Sequence, residues 1–344
     1  MRFASDNTSG VCPEILDAVT AAASGYAAAY GADDETVSLD ARFSEVFERE
    51  VRVFPVISGT AANCLALAGL TPPYGLMFCH RDAHVFVDEA GAPEFFAQGA
   101  RLVPLSGDEG KIDPAALSEA VSRPGHGVHS PHPSVLTVTQ ATEAGTVYSL
   151  DELGALVQIA RARDMSIHMD GARFANAVVS SGCSPAEATW RAGVEVLSFG
   201  ATKNGAMGAE AIVYFDPEQV GEVERRRKRA GHLISKMRYV AVQLLAYLAD
   251  DLWRRNARHA NEMATRLSDG LVALPGVEAA VQTQANEVFV RLPPTVRDGL
   301  AAAGAEFYVE QVAGGEAVRL VTSFSTTDAD VGDLLDLAAR LTER

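Results

Sequence analysis

A single lysine, Lys203, stands among small residues in the stretch LSFGATKNGAMGAE at residues 197–210, directly after an apolar run. A lysine on a surface loop keeps its ammonium group in water. A lysine held in a glycine-walled turn at the end of a strand could instead react as an amine with a carbonyl compound. Both interpretations start from the same residue, so the other strand ends of the chain must decide between them.

The second candidate is Asp170, in the stretch SIHMDGARF at residues 166–174. Strand alternation places Asp170 on the same face as His168 and at the end of the strand, where ligands bind in an open α/β sheet. A carboxylate there could hold the protonated ring nitrogen of a cofactor. The alternative is that Asp170 caps the next helix. In that case Arg173 pairs with Asp170, whereas in the cofactor interpretation Arg173 meets an anionic ligand.

The third candidate is the stretch SGTAAN at residues 58–63, where small residues pass from a strand into a helix. Gly59 and Thr60 would present backbone N–H groups at the helix start, which suits a phosphate; an ordinary helix cap is the alternative. The stretch is not a Walker loop, because no lysine follows at the required place. A phosphate site, an acid for a ring nitrogen and an amine for an aldehyde, at successive strand ends, together indicate pyridoxal 5′-phosphate.

The composition indicates a globular protein that acts on a small ligand. The chain has 344 residues, 48% hydrophobic and 22% charged, and a formal net charge of −16. This negative charge disfavours nucleic acid and anionic membranes as partners. The first residues lack the features of a signal peptide and no apolar run is long enough to span a bilayer, so we expect a soluble, cytoplasmic protein. The cysteines at 12, 64, 79 and 183 lack metal-site spacing, so we expect buried thiols and no metal site.

Hydrophobic patterning predicts an α/β fold with a mostly parallel sheet sandwiched by helices. A capping box of Ser149 and Glu152 opens one of the helices. We expect strands at residues 51–58, 76–80, 100–105, 134–140, 165–170, 194–200 and 209–215.

After residue 216 the pattern becomes helical, with a long proline-free stretch from about 234 to 274. Two strands at 285–292 and 317–324 follow, and then a closing helix that Thr327 and Asp330 would cap. The sequence therefore predicts a large domain over residues 1–250 and a smaller C-terminal α/β domain over residues 251–344.

Longer stretches of the chain resemble the threonine aldolases, which are fold-type I pyridoxal-phosphate-dependent lyases. The resemblance covers nearly the whole chain in order, in FASDNTSGVCPEILDAV, SGTAAN, HVFVDEAGAPEFF, HMDGARFANA, LSFGATKNG, RRKRAGHLISKMR and VRLVTSF. It implies that Lys203 bonds covalently to the cofactor and that Asp170 holds its pyridine nitrogen. By the same resemblance, Gly59 and Thr60 bind the phosphate, and His84 stacks on the ring near the substrate hydroxyl. The surroundings of His84 alone would favour a half-buried histidine on a strand or turn.

The resemblance also assigns residues to the substrate and to a neighbouring subunit. Ser5, Arg173 and Arg319 match positions that bind the substrate carboxylate. From its apolar strand alone, Arg319 would need either a buried acid or an anionic ligand. Arg238 matches an arginine that reaches the phosphate of a neighbouring subunit, which implies a homo-oligomer with shared sites, typically a dimer of dimers. The basic segment that contains Arg238 would otherwise be a solvated helix face.

A second active-site histidine is also implied, and His129 matches it, with His132 as a nearby alternative. The implied reaction is cleavage of L-threonine or L-allo-threonine to glycine and acetaldehyde, with His84, His129 or a water taking the hydroxyl proton. An aldolase that prefers phenylserine stays open. A transaminase, a β-eliminating lyase and a catalytically silent homologue are further alternatives.

Overall fold

The computed structural model of the protein describes residues 1–123, 125–312 and 314–343. The strands of its large sheet are β1 (Arg52–Val56), β2 (Gly75–His80), β3 (Arg101–Leu105), β4 (His132–Thr139), β5 (Ser166–Gly171), β6 (Val196–Gly200) and β7 (Glu210–Tyr214). Their order is β1-β7-β6-β5-β4-β2-β3. Neighbours from β3 to β6 are parallel, and β7 runs antiparallel to both β6 and β1. The predicted mostly parallel sheet is confirmed, and every strand except β7 ends at the same edge.

Helices pack against both faces of this sheet and form a separate hydrophobic core with each face. Successive residues of a strand point to opposite faces, so they contribute to different cores. Leu197 and Phe199 of β6 face one core, whereas Val196 faces another.

Within the described parts of the chain, none of the helices has the length and apolarity needed to cross a bilayer. The helices are α1 (Pro13–Ala21), α2 (Asp34–Phe47), α3 (Gly59–Leu70), α4 (His84–Val87), α5 (Ala92–Phe96), α6 (Pro114–Ser122), α7 (Leu150–Arg161), α8 (Phe174–Ser181), α9 (Val223–Arg229), α10 (Arg238–Leu248), α11 (Leu252–Val272), α12 (Pro294–Ala302) and α13 (Asp328–Thr342).

Aromatic rings connect the elements on one face of the sheet. The rings of Phe43 in α2 and Phe199 in β6 meet edge to face with centroids 5.1 Å apart. Phe174, the first residue of α8, stacks on Trp253 of α11 with centroids 6.2 Å apart. Buried aromatic contacts of this kind add to the stabilisation from area burial alone. They fix the two segments that carry Asp170 and Lys203 within one rigid core.

A second, antiparallel sheet lies towards the C-terminus, with the order β10-β11-β9-β8. Its strands are β8 (Glu278–Ala279), β9 (Glu287–Arg291), β10 (Tyr308–Val312) and β11 (Gly315–Val321), and α11, α12 and α13 supply buried residues to its core. Phe3 is fully buried in that core, and its backbone bonds to Glu306 and Val321. The N-terminal arm is thus attached to the smaller sheet.

The structure interrupts the long helical stretch that the sequence predicts. α10 ends at Leu248, and Asp250 and Asp251 adopt left-handed backbone angles with φ of 48° and 58°. Non-glycine residues rarely take this conformation, so periodicity alone did not reveal the break. Both predicted capping boxes, at Ser149 and at Thr327, are present with both of their reciprocal hydrogen bonds.

Candidate active site

A cavity of about 1110 Å³ lies between the carboxyl edge of the large sheet and the smaller sheet. Segments that follow β2, β3, β4, β5 and β6 all reach it, as expected where parallel strands end together. Five residues predicted from the sequence share its lining: Ser5, His84, Arg173, Lys203 and Arg319.

Lys203 is held in a short 3₁₀ turn directly after β6. Asn204 stabilises this turn, because its side-chain amide donates hydrogen bonds to the Tyr247 hydroxyl at 2.6 Å and to the Trp253 carbonyl at 2.8 Å. Gly205 has a φ of +117°, and a Cβ there would lie 3.0 Å from the Cβ of Cys12, so glycine is required. The amine of Lys203 has no ion-pair partner within 4.0 Å among the described residues. It is therefore a half-buried lysine on a rigid turn, and not a surface lysine.

Asp170 is buried at the end of β5. Its Oδ1 accepts a hydrogen bond from the backbone N–H of Ala172 at 3.0 Å, and its Oδ2 accepts one from the amide of Asn63 at 2.7 Å. The N-cap position of α8 is Arg173, so Asp170 does not cap that helix, and Arg173 pairs with other acids. Neither capping of α8 nor an ion pair with Arg173 thus accounts for Asp170.

His168, on the same face of β5, is buried between Thr137 and Ser198, whose hydroxyls lie 2.8 and 3.0 Å from its ring nitrogens. Burial lowers the pKa of His168 to about 4, so the ring is neutral at physiological pH. His168 is a core residue and does not line the cavity.

A chain of hydrogen bonds joins Asp170 to His84 through two residues that sequence reasoning missed. The amide of Asn63 also donates to Oε1 of Glu89 at 2.9 Å, and the same oxygen lies 2.9 Å from Nδ1 of His84. The hydrogen bond to Glu89 raises the pKa of His84, and burial raises the pKa of Glu89. Asn63, a polar residue among small and apolar residues in α3, was the one sequence signal for this network.

Two arginines and their acids form a buried ion-pair cluster beside the cavity. Arg173 binds Asp6 through Nε at 2.8 Å and Nη2 at 3.0 Å, and its Nη1 lies 3.2 Å from Glu287. Arg319 donates to Glu287 at 2.7 Å and lies 3.4 Å from Glu310. Burial acts to lower the pKa of Arg173, but Asp6 and Glu287 outweigh it and raise that pKa. Arg319 therefore has the buried acid that its strand required, and it also faces the cavity.

Gly59 and Thr60 open α3 at the carboxyl end of β1, on the cavity side of the sheet. Ser58 is the N-cap, with its hydroxyl accepting from the N–H of Ala61 at 3.3 Å. A Cβ built on Gly59 would meet nothing within 4 Å, so there is open space at the helix start. Asn63 in the first turn of the same helix contacts Asp170, which places this N-terminus next to the site although it does not line the cavity.

The structure does not bring the remaining predicted residues into the cavity of their own chain. His129 is exposed in a turn before β4, and His132 is the first residue of β4. Both lie at the amino end of that strand, whose eight residues span about 25 Å at the usual rise per residue. Arg238, the first residue of α10, stacks on the ring of Tyr239 and is also outside the lining.

Comparison with known proteins identifies the family to which the chain belongs. The chain belongs to the beta-eliminating lyase family, whose model matches residues 2–293. It is 42% identical over 333 residues to the low specificity L-threonine aldolase of Pseudomonas sp. (strain NCIMB 10558), covering 97% of this chain and 95% of that protein. The low specificity L-threonine aldolase of Pseudomonas aeruginosa is 43% identical, with the same coverage. A solved structure of Leishmania major threonine aldolase is similar with a TM-score of 0.91 and 26% identity, covering 99% of both chains.

Proposed function

We propose that this protein is a pyridoxal 5′-phosphate-dependent aldehyde-lyase that cleaves L-threonine, L-allo-threonine and other L-β-hydroxy-α-amino acids to glycine and an aldehyde. The observation that carries the proposal is the convergence of Lys203, His84 and Arg319 on one cavity, with Asp170 behind it. The relatives named as low specificity L-threonine aldolases, which match nearly the whole chain, support the same reaction.

The charges of the site fit this cofactor. Asp170 is a buried carboxylate with no cationic partner within 4.0 Å among the described residues. A buried, unpaired charge is costly, and a protonated ring nitrogen would neutralise it. The amine of Lys203 is likewise unpaired and available for an aldehyde. The open N-terminus of α3 at Gly59 and Thr60 offers backbone donors for a phosphate.

Each residue then has a role that its position supports. When bound, pyridoxal phosphate supplies an acceptor for the electron pair that is left on Cα. Arg319, with Ser5 and Arg173, binds the substrate carboxylate and orients the Cα–Cβ bond, although Glu287 and Glu310 compete for that arginine. Asp170 would hold the protonated ring nitrogen, and His84 would pack against the ring.

The test is an assay of aldehyde release from threonine, allo-threonine and phenylserine in both enantiomeric series, with the intact protein and a Lys203→Ala variant. We expect release from the L-amino acids only, and loss of release in the variant. Faster turnover of phenylserine than of threonine would identify a phenylserine-preferring aldolase. Formation of a keto acid without aldehyde would instead identify a transaminase or a β-eliminating lyase. Equal activity in the variant would refute the covalent role of Lys203.

We further propose that the protein assembles as a homotetramer, a dimer of dimers, with sites shared between subunits. His129 and Arg238 lie outside the cavity of their own chain, so they can serve a site only from another subunit. Light scattering on the purified protein tests the mass. A hybrid of Lys203→Ala and His129→Ala subunits that is more active than either parent would support a shared site. A cytoplasmic location stays a prediction.

A further inference from the structure

Glu143 is a cavity residue to which neither the motifs nor the proposed roles assign any chemistry. It follows the carboxyl end of β4 and lines the same cavity as Lys203 and His84. The other buried or half-buried acids of the site have partners: Asp170 and Glu89 share Asn63, Asp6 holds Arg173, and Glu287 and Glu310 hold Arg319. No hydrogen bond or ion pair within 4.0 Å involves the Glu143 carboxylate among the described residues.

The turn that carries Glu143 is rigid. Thr142 accepts a backbone hydrogen bond from Gly145 at 2.9 Å and donates one to Thr146 at 2.9 Å. The hydroxyls of Thr142 and Thr146 are 2.8 Å apart, and both lie within hydrogen-bond distance of the Glu109 carbonyl. A Cβ on Gly145, whose φ is +72°, would meet Glu287 at 3.0 Å, so the turn fits closely against the smaller sheet. A rigid turn that presents an unpaired carboxylate to a cavity is suited to bind a ligand group.

The charges around Glu143 suit a base. Burial raises its pKa, while Lys203 and Arg173 act in the opposite direction and favour the ionised form; Glu287 and Asp170 add to the rise. His84, which also faces Glu143, is different because Glu89 already binds its Nδ1 and raises its pKa. A histidine with a raised pKa is protonated over more of the physiological range and is then unable to accept a proton. Of the two groups, Glu143 is therefore the better placed to accept one.

We propose that Glu143 is a further catalytic residue, which binds the β-hydroxyl of the substrate and accepts its proton. This inference rests on the proposed function. As the O–H bond breaks, its electron pair forms the carbonyl of the aldehyde, and the Cα–Cβ pair remains on Cα. The proton moves to the Glu143 carboxylate, from which solvent removes it when the aldehyde leaves, and the electron pair on Cα takes up one proton from solvent to give glycine. Neither an oxidant nor a reductant is needed.

The experiment compares two reactions of the cofactor-loaded protein, because only one of them involves a β-hydroxyl. Glu143→Gln keeps the shape of the side chain and removes its basicity. We expect cleavage of L-threonine to fall about 10²–10³-fold, in the range for loss of a general base. Exchange of the Cα hydrogen of glycine with deuterated water should stay within about threefold of wild type, since glycine has no β-hydroxyl. Glu143→Asp, which retains the carboxylate, should recover part of the cleavage.

Glu109→Gln is the matched control, since Glu109 is an exposed carboxylate on the same cavity. It should leave both reactions unchanged. A separate readout uses the protein without cofactor and ¹³C-labelled glutamate carboxyls. One resonance that titrates above the ordinary glutamate range should disappear in Glu143→Gln.

Three outcomes would overturn the assignment to Glu143. They are full cleavage by Glu143→Gln, equal loss of cleavage and of glycine exchange, and loss of cleavage in Glu109→Gln to the same extent. A wild-type protein that exchanges glycine but cleaves no β-hydroxy amino acid would refute the proposed function itself, and the base assignment with it.

Discussion

Two charged regions border the same cavity, and they differ in how completely their charges are paired. In the ion-pair cluster of Asp6, Arg173, Glu287 and Arg319, every group has an oppositely charged partner within 3.2 Å. In the network of His84, Glu89, Asn63 and Asp170, an amide bridges two carboxylates, and Asp170 has no cationic partner among the described residues. The first region is complete by itself, whereas the second is complete only with a cation bound. Loss of the buried Arg173 from the first region should therefore affect folding most, whereas loss of Asp170 from the second should affect chemistry most.

The largest effect is expected on stability, from Arg173→Ala. Removal of this guanidinium leaves Asp6 and Glu287 buried without one of their partners, which costs about 3–5 kcal/mol for a buried ion pair. Urea unfolding of the protein without cofactor measures the free energy of unfolding. Arg123→Ala is the control, because its pair with Glu119 is exposed and should contribute less than about 1 kcal/mol. Equal losses in the two variants would remove the distinction between the regions.

Asp170→Asn should have the opposite profile. We expect kcat for threonine cleavage to fall about 10²–10³-fold, the usual cost of losing one electrostatic contact to a reacting centre. The free energy of unfolding without cofactor should stay the same or rise, because an unpaired buried charge is removed. Steady-state kinetics and urea unfolding check the two parts. Asp108→Asn, at the exposed rim of the cavity, should change neither.

Glu89→Gln should have a smaller effect that depends on pH. Glu89 raises the pKa of His84, so the pair stabilises the fold fully below the ordinary imidazole pKa of about 6.5, and this is lost as the pH rises through the raised pKa. At low pH this stabilisation is also lost, because Glu89, whose own pKa is raised by burial, becomes protonated. In the variant the pKa of His84 should fall, and imidazole NMR titration measures it. A His84 titration identical to wild type would show that Glu89 does not set its protonation.

The smallest effect is expected from Glu310→Gln. Glu310 lies in β10 of the smaller sheet and lines the cavity. Glu310 is partly exposed and lies 3.4 Å from Arg319, where it competes with a substrate carboxylate. A pair of this exposure is worth about 0.2–1 kcal/mol, so KM for threonine should fall by at most about fivefold with kcat unchanged. Steady-state kinetics at two salt concentrations check this, since salt weakens the competition in wild type only. A raised KM would mean that Glu310 assists binding of the substrate.

Local patterns in the sequence were enough for the elements and for part of the site. Periodicity located the strands of the large sheet, and the serine and threonine capping boxes located two helix starts, because both are decided within a few residues. The sequence could predict that Lys203 and Asp170 lie near one cleft, because the carboxyl ends of parallel strands share one edge of the sheet. The order of motifs in the chain then supported the cofactor and the lyase family.

Only the tertiary structure decided which charges meet. Asp6 binds Arg173 across 167 positions of sequence, and Asn63 reaches Asp170 across 107, so no local pattern contains either contact. The sequence did not reveal Glu143 for the same reason. That its carboxylate has no hydrogen-bond or ion-pair partner among the described residues depends on its distances to groups on other strands. It also explains why the sequence could not show that His129, which the resemblance assigns to the site, lies outside the cavity of its own chain, at the amino end of β4. Short-range backbone preferences depend on residues that are neighbours in the sequence, whereas the pairing of buried charges depends on how distant segments pack.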